Sequence, residues 1–224
     1  MAWKGAMTMG RYHTVLFDMD GTILDTLDDL TDSVNHTLRE MGYPERTRDE
    51  VRTYLGYGSR HLIEMSLGTT ETEVVDEAFR MYRAWYGEHT QIKTKPYDGI
   101  TDVMRALRER GIRVAVASNK PEAMVRKLCD HHFPALVDAA VGDVDGRARK
   151  PESDMIDAVL SRLGVSRGGA VYVGDTEVDV QTGQNANLPV IAVGWGFRSR
   201  AQLIEAGATV FADTPEELLR LLTE

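Results

Sequence analysis

Apolar positions change their spacing twice along this chain. The run from Tyr12 to Phe17 (YHTVLF) reads as a buried strand. Beyond it, Leu27, Leu30, Val34, Leu38 and Met41 recur at intervals of three and four, the pattern of an amphipathic helix, and Gly42 ends the run. Thr47 and Glu50 have the spacing of a capping box for a helix carrying Val51 and Leu55. Gly56-Tyr57-Gly58 breaks that helix, and Leu62, Ile63 and Met65 mark a short one ending near Gly68. Thr70 and Glu73 repeat the capping-box spacing before Val75, Phe79, Tyr82, Trp85 and Tyr86. Residues 26–94 therefore predict an all-helical block without strands.

From Pro96 the rhythm becomes an alternation. A helix near residues 99–110 stops at Gly111, RVAVAS reads as a buried strand, and Pro121 suits the first position of a helix. DAAVGD is a short strand. Pro151 starts a helix with Ile156, Val159, Leu160 and Leu163. GAVYVGD and LPVIAVGW are strands on either side of the helix VDVQTGQNA. SRAQLIEAG is helical, ATVFAD is a short strand, and Thr214-Pro215 with Glu217 opens the last helix. Alternating strands and helices predict an α/β fold, a doubly wound parallel sheet with a Rossmann-like core. The helical stretch interrupts this pattern straight after the first strand. The expected division is a discontinuous core (11–25 and 95–224) with an inserted helical cap (26–94), while residues 1–10 are expected to be disordered or foreign to the natural chain.

Composition narrows the partners. The 224 residues are 42% hydrophobic and carry a net charge of −9. A broad nucleic-acid or anionic-membrane surface is not expected from such a balance. A single cysteine, Cys129, permits no internal disulfide and reads as a buried small hydrophobe. No apolar run approaches the roughly 18 residues of a membrane span, and the opening residues lack a signal-peptide core. A cytoplasmic protein is the expectation.

Candidate chemistry collects at strand ends, where ligands of open α/β sheets bind. The first strand runs into Asp18-Met19-Asp20-Gly21-Thr22. RVAVA ends in Ser118-Asn119, VYVG ends in Asp175-Thr176 with Asp179 one helical turn on, and Arg149-Lys150 precede Pro151. Carboxylates this close repel one another unless a cation offsets them. Mg²⁺, which takes oxygen ligands and substrate phosphate, is suited to the group. Ser118, Asn119, Thr22 and nearby backbone N–H groups can bind phosphate oxygens, and Lys150 can balance their charge. One aspartate can attack phosphorus and the other can handle the proton.

FDMDGTILDT, ASN, RKP and VGDTEVD, in that order, resemble the four motifs of the haloacid dehalogenase-like hydrolases, in the branch with a helical cap after the first strand. The resemblance covers nearly the whole chain. It implies that Asp18 is the nucleophile and a Mg²⁺ ligand, and that Asp20 is the general acid/base, binding the metal through its carbonyl. Gly21, Thr22, Ser118, Asn119 and Lys150 would then bind phosphate or position the nucleophile, Asp175 would be a further metal ligand, and Asp179 a supporting group. DTEVDVQTGQNANLP, VGWGF and YLGYGSRHLIE are similar to segments of the phosphoglycolate phosphatase branch, which implies hydrolysis of a small phosphorylated metabolite such as 2-phosphoglycolate. A phosphomutase or a pyrophosphatase on the same nucleophile is the alternative, and a phospho-accepting signalling module a remote one.

Other features have plainer readings. Tyr82, Trp85 and Tyr86 at helical spacing predict packing, as do Trp195 and Phe197. The adjacent His131 and His132 are not expected to form a metal pair. Gly56-Tyr57-Gly58-Ser59-Arg60 is either a helix–helix turn or a loop facing the site, with Arg60 offered to an anion.

Overall fold

The computed structural model describes residues 12–224, and the expectation for residues 1–10 lies outside them. β1 (Thr14–Phe17) and β2 (Leu24–Asp25) precede α1 (Leu27–Glu40), α2 (Arg48–Tyr54), α3 (Ser59–Leu67) and α4 (Thr72–His89). The chain returns through β3 (Lys95–Pro96) to α5 (Ile100–Glu109), β4 (Arg113–Pro121), α6 (Glu122–His132) and β5 (Ala139–Asp143). It continues with α7 (Asp154–Leu163), β6 (Ala170–Gly174), α8 (Glu177–Asn185), β7 (Val190–Val193), α9 (Arg200–Glu205), β8 (Phe211–Ala212) and α10 (Pro215–Thr223).

Six strands form a parallel sheet in the order β5-β4-β1-β6-β7-β8. β1 pairs with Arg113–Val116 on one side and with Ala170–Val173 on the other. Burial on both faces explains its unbroken apolar run. Val15, Phe17, Val114, Val116, Val171 and Val173 share one core with residues of α5, α6 and α10. Leu16, Ala115, Ala117 and Tyr172 share the opposite core with residues of α7. From β1 the order runs through β4 and β5 to one edge, and through β6, β7 and β8 to the other. The resulting switch point lies beyond the carboxyl end of β1, where Asp18 begins.

The four helices α1–α4 have a core of their own, built from Leu30, Val34, Leu38, Val51, Leu62, Val75 and Tyr82, and Phe197 from the loop after β7 joins it. Thr47 and Glu50 form the expected capping box on α2. Gly68, at φ +73°, ends α3 in a left-handed conformation that favours glycine. Tyr82 and Tyr86 are core residues, and Trp85 stacks between His36 and His89 at 3.6 and 3.8 Å. Cys129 is buried, which pushes its thiol up to about 12.

Some local expectations need correction. Thr70 and Glu73 form no capping box: α4 begins at Thr72 after Glu71, whose amide is held by the Thr69 hydroxyl at 3.2 Å. Pro121 ends β4 rather than opening α6, and α7 begins at Asp154, three residues beyond Pro151. Leu24–Asp25 and Lys95–Pro96 pair as a two-stranded antiparallel ribbon at the two ends of the helical insertion. Two residues per strand are too few to leave a period-2 signal.

That junction is fastened by Asp29 in the first turn of α1. Its buried carboxylate accepts from the amides of Ile92, Lys93 and Thr94 at 2.9–3.1 Å and from the Thr94 hydroxyl at 2.7 Å. Asp29→Ala would leave these donors without an acceptor. The expected cost is about 2–4 kcal/mol, read as a lower urea midpoint at unchanged slope. A loss below about 0.5 kcal/mol would mean that water replaces the carboxylate at this junction.

Candidate active site

The carboxyl ends of β1, β4 and β6 and the loop before α7 bring the predicted residues together. Asp18 follows β1 directly, with its amide bonded to the carbonyl of Val173 at 2.8 Å. Lys150 Nζ donates to Asp18 Oδ1 and to Asp179 Oδ1, each at 2.8 Å, and lies 3.0 Å from the Tyr172 hydroxyl. Its side chain is 3% exposed. Asn119 fixes the backbone of Lys150: its Oδ1 accepts from Lys150 N at 2.8 Å, and its Nδ2 donates to the Lys150 carbonyl at 3.0 Å.

Asp179 is engaged through both oxygens. Oδ1 meets Lys150 and the Tyr172 hydroxyl, and Oδ2 accepts from Thr176 N, Thr176 Oγ1 and Asp175 N at 2.7–3.2 Å. It therefore caps α8 and anchors Lys150 at once. Asp175 accepts from the Thr22 hydroxyl and from Phe197 N, both at 2.7 Å. The loops around it are tight. A Cβ at Gly21, which sits at φ +89°, would lie 2.3 Å from Asp175 Oδ2, and one at Gly196 would lie 2.2 Å from Asp175 Cβ.

Asp18, Asp175 and Asp179 each offer an oxygen within 4.8 Å of the others. One ammonium does not neutralise three buried carboxylates. Burial, with Asp179 and Asp20 adding repulsion, raises the Asp18 carboxyl to about 7, although Lys150 pulls it down. Burial and the same like-charge repulsion raise Asp175 well above the usual carboxylate range. Burial also opposes charge on Asp179, but Lys150 and the Thr176 bonds outweigh it and hold that carboxyl low. Buried oxygen donors with excess negative charge suit a hard divalent cation. Asp18 Oδ2, free of the Lys150 contact, and Asp175 are the side chains that would hold it, since Asp179 already serves Lys150 and the α8 cap.

A cavity of about 40 Å³ lies over this cluster, between the sheet edge and the helical insertion. It is lined on one side by Asp18, Asp20, Ser118, Lys120 and Lys150, and on the other by Leu30, Leu55, Gly58, Ser59 and Leu62. Ser118 Oγ accepts from Lys120 N at 3.2 Å, which leaves the hydroxyl proton for an oxygen in the cavity.

Three sequence-based expectations change here. The Thr22 hydroxyl is committed to Asp175 and is not free for phosphate. Asn119 lines the cavity, but its amide hydrogens go to the carbonyls of Lys150 and Gly56, so it ties the insertion to the core. Arg60 is absent from the cavity lining: it pairs with Asp76 at 2.7 Å and with Glu64 at 3.2 Å on the surface of the helical block. Its helical position points it toward acidic neighbours on α3 and α4, while Ser59 takes the cavity-facing place.

Three residues at the site went unnoticed in the sequence. Lys120 Nζ contacts both oxygens of Asp20, at 2.8 and 2.9 Å. It stands two residues beyond Ser118, and the period of a strand would have placed both on one face. The same period would have drawn attention to Tyr172, two residues before Gly174. Arg198 left no comparable signal. Buried, it pairs with Glu177 and donates to the carbonyls of Arg52 and Leu55 at 3.1 and 2.7 Å, which clasps the C-terminal end of α2.

Residues 15–193 match the family of haloacid dehalogenase-like hydrolases. The phosphoglycolate phosphatase of Aquifex aeolicus is 34% identical over 184 residues, spanning 82% of this chain and 85% of that protein. The phosphoglycolate phosphatase of Rhodospirillum rubrum is 31% identical, spanning 89% and 86%. A crystal structure from Lactobacillus delbrueckii subsp. bulgaricus has a TM-score of 0.89 at 36% identity, covering 96% of this chain and 99% of that one. The chain belongs to the haloacid dehalogenase-like hydrolases. It resembles the phosphoglycolate phosphatases among them and is a phosphoric monoester hydrolase. No helix among the described residues is long and apolar enough to cross a membrane.

The raised Asp18 carboxyl has a measurable consequence. The folded chain holds this proton more tightly than the unfolded chain, so stability falls as pH rises from 3.8 toward about 7, and the penalty is complete above that. In metal-free buffer at pH 8, Asp18→Asn is expected to melt at a higher temperature than the unaltered chain, with the gap narrowing at pH 5. Scanning calorimetry at both pH values reads this. A lower melting temperature for the variant at pH 8 would mean that Lys150 alone offsets the cluster.

Proposed function

We propose that the chain is a Mg²⁺-dependent phosphatase for a small phosphomonoester, 2-phosphoglycolate first among candidates, working through an aspartyl-phosphate on Asp18. The observation that carries this reading is the position of Asp18. It is 6% exposed, one oxygen is held by Lys150, and it lines the same small cavity as Asp20 and Ser118. The substrate follows from the names of the curated relatives.

In the first step a carboxylate oxygen of Asp18 attacks phosphorus, and the bond from phosphorus to the ester oxygen breaks. Asp20 gives its proton to that departing oxygen. In the second step Asp20 takes a proton from water as the water oxygen attacks phosphorus, which releases orthophosphate and restores Asp18. Lys150 keeps Asp18 oriented throughout, and Ser118 donates to a phosphoryl oxygen. Mg²⁺, held by Asp18, Asp175 and the carbonyl of Asp20, would supply positive charge against the phosphoryl oxygens.

The working division is a core of residues 11–25 and 95–224 with a cap of residues 26–94. The cap excludes water around the reacting atoms and must part from the core to exchange substrate and product. The site suits a cytoplasmic metabolite, without nucleic acid or membrane as partner.

Phosphate release from 2-phosphoglycolate is expected with Mg²⁺ and is expected to stop on chelation. Asp18→Asn should abolish turnover with the fold intact by circular dichroism. Asp20→Asn should slow it by roughly 10²–10⁴-fold. Full activity in Asp18→Asn would refute the covalent route. Rapid isomerisation of a sugar phosphate with little free phosphate would mark a mutase instead.

A further inference from the structure

The mechanism above gives Lys120 no part, yet this lysine is as deeply enclosed as Lys150, its side chain 3% exposed. Its ammonium contacts both carboxylate oxygens of Asp20 and stands 5.0 Å from the centre of the Tyr86 ring on the cap helix α4. A buried ammonium needs an anionic or polar partner. In this arrangement Asp20 is that partner, and both of its oxygens are taken.

Asp20 cannot serve a leaving group in that state. To hand a proton to an ester oxygen it must take one up from water and turn the oxygen that carries it toward the ester, which loosens the pair with Lys120. The ammonium remains enclosed between β4 and the cap, so it requires another anion as Asp20 turns. In the proposed mechanism the phosphoryl group is taken up by Asp18, Ser118 and the cation site, so it does not meet this need. An anionic group of the substrate just beyond the ester oxygen does.

The dimensions set where that group must be. Lys120 Nζ is 2.8 Å from Asp20 Oδ1. A hydrogen bond of about 2.7 Å from Asp20 puts the ester oxygen within about 5.5 Å of the ammonium. A carboxylate on the carbon that bears the phosphoester has its oxygens about 3 Å from that ester oxygen, and turned toward Nζ it comes within hydrogen-bond reach. The cap side of the cavity is compatible with an anion. α3 opens at Gly58 without a side-chain cap, and Gly58 and Ser59 line the cavity opposite Lys120. The buried Tyr86 hydroxyl has no hydrogen-bond partner among the described residues.

We propose that Lys120 is the specificity-determining residue of this enzyme. It exchanges Asp20 for the carboxylate of a short 2-phospho acid, so that binding of the correct substrate is what frees Asp20 for proton transfer. The inference rests on the phosphatase reading and adds to it the group that is read and the residue that reads it. An ester of the same size without the carboxylate leaves Lys120 on Asp20 and is turned over poorly.

The test compares kcat/KM for 2-phosphoglycolate and for 2-hydroxyethyl phosphate, which replaces the carboxylate with a neutral alcohol. The unaltered enzyme is expected to favour the acid by about 100-fold or more. In Lys120→Met this ratio should fall by about 100-fold, while Lys120→Arg, which keeps the charge, should retain part of it. Equal losses on both esters in Lys120→Met, with the ratio preserved, would overturn the proposal and make Lys120 only a support for Asp20. Equal efficiency of the unaltered enzyme on both esters would also overturn it, with the phosphatase reading intact. No Mg²⁺-dependent release from either ester would remove the 2-phosphoglycolate assignment on which the proposal rests, and would overturn it. Should Lys120→Met fail to fold, the ratios of the unaltered enzyme and of Lys120→Arg still decide.

Discussion

A single ammonium, that of Lys150, organises the site. It bridges Asp18 at the end of β1 and Asp179 in the first turn of α8, and it rests against the Tyr172 hydroxyl from β6. Removing Lys150 would leave Asp18 and Asp179 as buried carboxylates without their cation, at a cost of about 3–5 kcal/mol. Asn119 in turn fixes the backbone of Lys150. The parallel sheet thus positions the side chains, and the ion pairs fix their directions. The set remains short of positive charge: burial, with like-charge repulsion added, pushes Asp18 and Asp175 up, and only Asp179 is held low, by Lys150 and the Thr176 bonds. That imbalance is the physical ground for expecting a cation, independent of any likeness to other proteins.

The helical block is joined to this centre at three kinds of contact. Asp29 holds the segment of residues 92–94 just before the returning strand, where the block leaves and re-enters the core. Asn119 donates to the carbonyl of Gly56 at 3.0 Å, and Arg198 clasps the last carbonyls of α2. Phe197 inserts into the block's own core. Asn119 and Phe197 are also bound up with the catalytic cluster, through Lys150 and Asp175 respectively. A displacement of the block would therefore act on Lys150 and Asp175, to which the proposed mechanism gives the nucleophile and the cation.

Much of this was legible in the amino-acid sequence because it is local or periodic. The helices on Leu27–Leu38 and Val75–Tyr86 follow from spacing, and the strands around Val15, Val114 and Val171 from unbroken apolar runs. Asp18, Asp20, Asp175 and Lys150 could be assembled because a parallel sheet puts all its carboxyl ends on one edge. What stayed hidden depends on partners distant along the chain. Arg60 looked available until Asp76 and Glu64 closed around it. The Thr22 hydroxyl looked free until Asp175 claimed it. Arg198 carries no signal in the sequence, and only the fold brings α2 to it. The ribbon of Leu24–Asp25 with Lys95–Pro96 joins residues some seventy positions apart, which no local pattern records.

The central claim is that Asp18 carries the phosphoryl group between the two steps. Acid-quenching the enzyme during turnover of 2-phosphoglycolate with Mg²⁺, reducing it with borohydride and sequencing its peptides by mass spectrometry tests this directly. The account predicts homoserine in place of aspartate at position 18, the product of reducing an acyl phosphate, with Asp20 unchanged. Sustained turnover with position 18 unmodified and the modification at Asp20 or Asp175 would contradict it.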